Sequence, residues 1–428
     1  MHRFVSPLLL LFLSALPAPA SRAENAEAVP VPVERLVAEI MQTNPELAFY
    51  REEILAAKAG QLDAGRRADP ELSLEIGRKR VRDFNGTLAG EGTAWSVAVT
   101  QTFAWPGRAQ LRKAIASRQV ELAELGLAQF EAALAARARL LAFGLHAANT
   151  KAAAVREVAS RFTALKETYL ARDPAGIAPL LETRAIEANE LSVQRRANEA
   201  ELALQAALIE LNQLRGLPAD APLRVAVEPV QWGDLPEPAE LMAAARQNDF
   251  SFQLRLVELE QQGLEVRLAR HERYPEVSVS PFYSQEKAGE RETVVGLGLS
   301  VPLPVTSRTR SAAQVAESRQ RQAETALLVA GRELERDVLR AAQAYATKVH
   351  LMRAWTEEPL ERFGEAAALA DRHYRLGAVP LSTYIELQVA YLDAVEVLLD
   401  TEQESLEAGL ELQLLTGLTT DLIRPVRP

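Results

Sequence analysis

Two short stretches, PELSLEIG at residues 70–77 and TAWSVAVTQTF at 93–103, decide how this chain is read. Both alternate apolar and polar residues with period two, the pattern of a strand with one apolar face. Their apolar positions are Leu72, Leu74, Ile76, Trp95, Val97, Val99 and Phe103. Further on, PEVSVSPFY (275–283) and TVVGLGLSV (293–301) repeat the alternation with Val277, Val279, Val295, Leu297, Leu299 and Val301. Each run is about ten residues, the length a tilted strand needs to cross a bilayer. The intervening loops, RKRVRDFNGTLAGEG and SQEKAGER, are charged and contain glycine, as solvent-facing loops would be. A small soluble sandwich capping a coiled coil would show the same alternation, since the strand signal is weak segment by segment. Four strands cannot close a barrel and open sheet edges are not tolerated in lipid, so a spanning barrel would have to be assembled from several chains.

The rest of the chain is of a different kind. Alanine, leucine, glutamate, arginine and glutamine dominate, which is the composition of long helices rather than of a mixed core. The net charge of −10 gives no basic stripe for nucleic acid. The opening MHRFVSPLLLLFLSALPAPASRA has a basic start, an apolar run from Leu8 to Leu13 and small residues before a cut at Ala20 or Ala23. It reads as a secretory signal peptide, too short for a membrane anchor. Cysteine is absent, which excludes disulfides, thiolate metal sites and an N-terminal lipid anchor.

A tandem duplication organises the mature chain. The turn RHYRLGAVPLSTYIEL (372–387) is matched by TYLARDPAGIAPLLET (168–183), with Gly176 and Pro179 answering Gly377 and Pro380. The helices entering the turns carry heptad-like stripes: Val155, Val158, Phe162, Leu165 and Tyr169, then Leu360, Phe363, Ala367, Ala370 and Tyr374. TQTFAWPGR, ending at Arg108, answers SVPLPVTSR, ending at Arg308. The expected organisation is signal peptide 1–23, first repeat 24–216 with a hairpin at about 70–104, and proline-rich linker 217–238 with one short strand at Leu223 to Val227. A second repeat, 239–418 with a hairpin at about 275–302, and a tail, 419–428, complete it. Each repeat reads as helix, hairpin, very long helix, turn, helix. The first long helix, Gly107 to Leu170, contains no proline; the second is interrupted by Pro359, where a kink or unwinding is expected.

Signal peptide, paired hairpins, long helix pairs and the Y-x-x-G-x-x-x-L turn at 374–381 resemble the TolC family of outer-membrane efflux channels, and most nearly its CzcC-like heavy-metal branch. The resemblance implies a mainly α fold with a small β part: a long coiled-coil α-helical tunnel plus a four-stranded contribution per chain to a trimeric twelve-stranded outer-membrane β-barrel. It implies a homotrimer working with a periplasmic adaptor protein and an inner-membrane transporter of the RND type. It also assigns residues. Gly176, Pro179, Arg375, Leu376, Gly377, Pro380 and Leu381 would form the periplasmic tip and adaptor contact, while Glu182, Thr383 and Glu386 would lie at the lumen constriction. A soluble periplasmic scaffold or adaptor is the alternative from another class.

No catalytic, cofactor or metal site is expected. His2, His146, His271, His350 and His373 never stand at the i, i+3 or i+4 spacing of a helical metal site, and the four mature ones read as solvated helix positions. Met1, Met41, Met242 and Met352 are scattered. The glycines of GLGLS (296–300) alternate along a strand and open no helix, so they make no dinucleotide loop.

Overall fold

The computed structural model describes residues 30–170, 177–303, 308–355, 359–418 and 422–425. The expected signal peptide and the Gly176 turn lie outside the described residues. A short strand β1 (Val31–Pro32) leads into α1 (Val33–Thr43) and α2 (Glu46–Ala64), followed by the hairpin β2 (Glu71–Arg82) and β3 (Leu88–Phe103). Helices α3 (Arg108–Leu170) and α4 (Ile177–Arg215) complete the first half, and β4 (Val225–Ala226) and β5 (Val230–Trp232) cross the linker. The second half repeats the order with α5 (Pro238–Asn248), α6 (Phe250–His271), β6 (Val277–Ala288), β7 (Glu290–Ser300), α7 (Arg308–Ala354), α8 (Pro359–Arg375) and α9 (Leu381–Thr416). A last strand, β8 (Ile423–Pro425), pairs antiparallel with β5, so the expected tail takes part in the fold.

Two helices, not the one expected, precede each hairpin. In the first half Pro45 drives the preceding Asn44 into extended backbone, φ −63° and ψ 121°, which ends α1. In the second half Asp249 takes nearly the same angles without a proline, and its carboxylate starts α6 by accepting the Phe252 N–H at 2.7 Å. The break therefore comes from two different local devices.

Helix α3 runs 63 residues without interruption, roughly 95 Å at 1.5 Å per residue. Its counterpart stops at Ala354 and restarts at Pro359, whose missing N–H ends the run of i to i−4 bonds. Two matching cores sit midway. Leu36 and Ile40 of α1 pack with Leu134, Ala138, Leu145 and Leu211, while Leu241 and Ala245 of α5 pack with Leu334, Val338, Tyr345 and Leu412. The buried Tyr345 hydroxyl lies 2.6 Å from the Leu422 carbonyl and 3.0 Å from that of Gly233, tying α7 to the linker and to β8. Burial pushes that phenol up to about 12.

A third core fills the end farthest along α3, where Val158, Phe162, Leu165, Ile186, Leu381 and Tyr384 are buried. Phe363, an expected stripe residue, stands outside it, 46% exposed. The Tyr391 ring packs beside the neighbouring Gly364 instead, 3.5 Å from where a Cβ would stand.

Candidate functional site

The four long strands form one sheet in the order β2-β3-β6-β7. Register fixes its faces. Leu72, Leu74 and Ile76 stand opposite Val99, Val97 and Trp95; Val97 meets Tyr283 and Phe103 meets Val277; Val279, Pro281 and Tyr283 meet Leu299, Leu297 and Val295. The apolar strand positions singled out from the sequence lie on this face, save Val301, which falls just past the end of β7, and the face is largely bare: Ile76 is 77% exposed and Leu297 70%. No second sheet packs on it among the described residues, so the sandwich reading does not hold.

The opposite face is mostly small and hydroxylated, carrying Ser73, Ser96, Thr100, Thr102, Ser278, Ser280, Ser284, Gly296, Gly298 and Ser300, with Phe282 over Gly296 and Val294 as apolar exceptions. Pro281 lies in a central strand, where its missing N–H costs a ladder bond. The β3–β6 pairing lapses beside it, and a Thr100–Ser280 hydroxyl contact of 2.8 Å and a Thr102–Ser278 contact of 2.9 Å stitch the gap. The outer edges of β2 and β7 have no partner among the described residues.

Where sheet becomes helix, Gly107 adopts a φ of 90° and lets the chain swing into α3. Arg108 is buried there. Its Nη1 donates to Glu276 Oε1 at 2.6 Å and its Nη2 to the Tyr274 carbonyl at 3.0 Å, clamping the base of one hairpin to that of the other. The equivalent Arg308 side chain lies outside the described residues. Trp105 stacks on Tyr274 at 5.2 Å, which puts an aromatic pair at this border.

At the far end, the turn between α8 and α9 closes as the sequence requires. Gly377 has φ 72°; its N–H donates to the Tyr374 carbonyl at 2.9 Å, and that of Ala378 to the His373 carbonyl at 2.9 Å. This is the doubly bonded left-handed cap that glycine permits. Pro380, at ψ 158°, then starts α9. Arg375, Leu376 and Gly377 are exposed, with Arg375 paired to Asp371 at 2.9 Å. Leu381 is not part of that surface: it is buried against Phe162, Ile186 and Tyr384, because the first turn of α9 points it into the core. Of the first turn, Pro179 falls in α4 and Gly176 outside the described residues.

Among the expected constriction residues, Thr383 is half-buried, whereas Glu182 and Glu386 are exposed. Glu386 has no ion-pair partner among the described residues, while Glu187 pairs with Arg184 at 2.6 Å and Glu190 with Lys166 at 2.8 Å. Sequence reasoning missed a polar cluster under this end. Gln388 is fully buried; its Nε2 donates to the Ala367 carbonyl at 2.6 Å, and its Oε1 accepts from Arg161 Nη1 at 2.9 Å. Arg161 also holds Glu157 at 2.5 Å. The signal was available, since Gln388 is a polar residue on the apolar stripe of Leu381, Tyr384, Leu392 and Val395. Two histidines also differ from expectation. His146 is half-buried, and burial lowers its pKa; Nδ1 of His271 is buried without a hydrogen-bond partner among the described residues.

Residues 241–418 match the family model of the outer membrane efflux proteins. No curated protein matches. Among solved structures, a membrane protein from Pseudomonas aeruginosa superposes with a TM-score of 0.72 at 19% identity, covering 91% of each chain. The transmembrane channel protein CusC gives 0.70 at 16% identity, covering 95% of this chain and 98% of its own. The Campylobacter jejuni outer membrane channel CmeC gives 0.71 at 14% identity, covering 90% of this chain and 85% of its own. The chain thus has the fold of the outer-membrane efflux channels, and from residue 241 to 418 it carries the sequence pattern of the outer membrane efflux protein family.

Proposed function

We propose that three copies of this chain form the outer-membrane channel of an efflux system, a passive conduit from the periplasm, or from an inner-membrane pump, to the exterior. The observation that carries this reading is the four-stranded sheet with one bare apolar face, one hydroxylated face and two open edges, joined to a helix of roughly 95 Å. Lipid tolerates no open edge, and three copies supply twelve strands, enough to close a barrel with its hydroxyls inward. Exposed apolar residues on α4, such as Leu191, Leu202 and Ile209, recur at whole-turn spacings and would be covered by the neighbouring copy.

The α8–α9 turn, with Arg375, Leu376 and Gly377 exposed, would meet a periplasmic adaptor, together with the Gly176–Pro179 turn. An inner-membrane transporter of the RND type would complete the assembly. Heavy-metal cations are the proposed cargo, a reading that rests on the resemblance to the CzcC-like branch. Glu182, Thr383 and Glu386 would line the constriction. Three Glu386 carboxylates ~10 Å apart repel by only ~0.4 kcal/mol per pair in water, too little to hold a pore open. Focused by low-dielectric walls, the same charges favour cations over anions.

Fractionation and bilayer recording test the proposal together. The protein should sediment with outer membrane, need detergent for release and conduct with cation selectivity, which Glu386→Gln should reduce. Release with the soluble periplasmic contents would refute the channel. An unchanged reversal potential would remove Glu386 from the lumen. Loss of the gene should sensitise cells to zinc, cobalt or cadmium salts; unchanged tolerance would refute the metal cargo.

A further inference from the structure

Above the apolar band, strand alternation sorts the charges by sign. Arg78, Arg80 and Arg82 continue the face of Leu72, Leu74 and Ile76, while Lys287 and Arg291 continue the faces of Tyr283 and Val295. All five are exposed. The acids beside them in sequence point the other way: Glu286 and Glu292 lie on the hydroxylated face, where both hold Lys79, at 2.6 and 2.8 Å. On the apolar side, among the described residues, only Glu91 pairs with any of the five cations, 3.1 Å from Arg80 and 3.9 Å from Arg78.

Lys287 and Arg291 are direct cross-strand partners on this face, and neither has an ion-pair partner among the described residues. Like charges placed opposite each other across a pair destabilise a sheet unless an anion lies between them. Arg78 follows Ile76 by two residues, about 7 Å along the strand, which is the level of lipid headgroups just outside the hydrocarbon.

We infer that this belt binds the phosphates of the glycolipid headgroup in the outward-facing leaflet, with Arg78, Lys287 and Arg291 as the principal contacts. Guanidinium forks match phosphate oxygens in pairs, and several cations at one height suit a headgroup carrying more than one phosphate. A trimer repeats the belt three times around the barrel. The inference rests on the channel reading, which puts the β2–β3 and β6–β7 turns outside the cell.

The test uses purified wild-type protein in mild detergent, offered bis-phosphorylated lipid A, dephosphorylated lipid A or phosphatidylglycerol, with bound lipid read by native mass spectrometry. Wild-type trimer should retain bis-phosphorylated lipid A roughly tenfold over the other two. Combined Arg78→Gln, Lys287→Gln and Arg291→Gln should abolish the preference, whereas Lys79→Gln, on the other face, should keep it. Equal retention of dephosphorylated lipid A or of phosphatidylglycerol by the wild type overturns the inference without any variant. Absence of a wild-type trimer overturns the channel reading itself, a result distinct from a trimer that lacks lipid preference.

Discussion

Placing a charge on each face of the sheet in turn gives opposite results if the faces are assigned correctly. Leu297 stands in the middle row of the apolar face, opposite Pro281, and is 70% exposed in the isolated chain. Arginine at the bilayer midplane of a barrel costs about 2–4 kcal/mol, so Leu297→Arg should lower the insertion equilibrium roughly 30- to 900-fold per chain. Three copies in one barrel compound this to about 6–12 kcal/mol, comparable with the whole stability of a domain. Ser284, opposite Ser96 and Val294, faces the hydroxylated side, and Ser284→Arg should insert normally and alter only conductance. Heat-resistant oligomer in the outer-membrane fraction, followed on semi-native gels, separates the two. Normal insertion of Leu297→Arg with failure of Ser284→Arg would invert the face assignment.

The remaining predictions concern the helices. Gly377→Val should cost about 1–2 kcal/mol through its left-handed backbone alone, since the space around it is open; oligomer should persist while export falls, and Gly377→Asn, which tolerates that geometry, should export better than Val in a drug or metal efflux assay. Tyr345→Phe should destabilise by about 1 kcal/mol by freeing the Leu422 and Gly233 carbonyls, whereas Tyr384→Phe should be neutral or stabilising, because the Tyr384 hydroxyl is buried with no hydrogen-bond partner among the described residues. Thermal melts of both variants check this. Burial raises the Glu402 pKa, so the folded state holds that proton more tightly than the unfolded chain does. Its contribution is complete below the ordinary value of 4.5 and is lost as pH rises through the raised one. Glu402→Gln should therefore raise the melting temperature near neutral pH and leave it unchanged in acid.

What the sequence made legible was whatever carries a long period. The alternation from Leu72 to Leu299 located all four strands and their faces, and the proline-free run after Gly107 marked α3. The glycine and proline of the Gly377 turn fixed its geometry. Features that rest on contacts between distant segments were hidden. Strands of two or three residues such as β5 and β8 have no periodicity to read. The division of α1 from α2 had a local signal in Pro45, and the Asn44 Nδ2 bond to the Leu214 carbonyl, 3.2 Å and far along the chain, adds to it. Phe363 is exposed while Tyr391, arriving from the returning helix, packs beside Gly364, a contact no local pattern shows. At the tip, the resemblance placed Leu381 on the surface, whereas the structure buries it, since a hydrophobe at the first turn of a helix serves core and surface equally well on paper.

In the proposed trimeric channel β7 of one copy pairs with β2 of the next. The chain has no cysteine, so a cysteine at Ser73 on β2 can be scanned against single cysteines at 296–300 on β7 without background. One register should yield disulfide-linked dimers and trimers in outer membranes, resolved on non-reducing gels and collapsed by reductant. Only monomer at every register, in protein that sediments with the membrane, would contradict it.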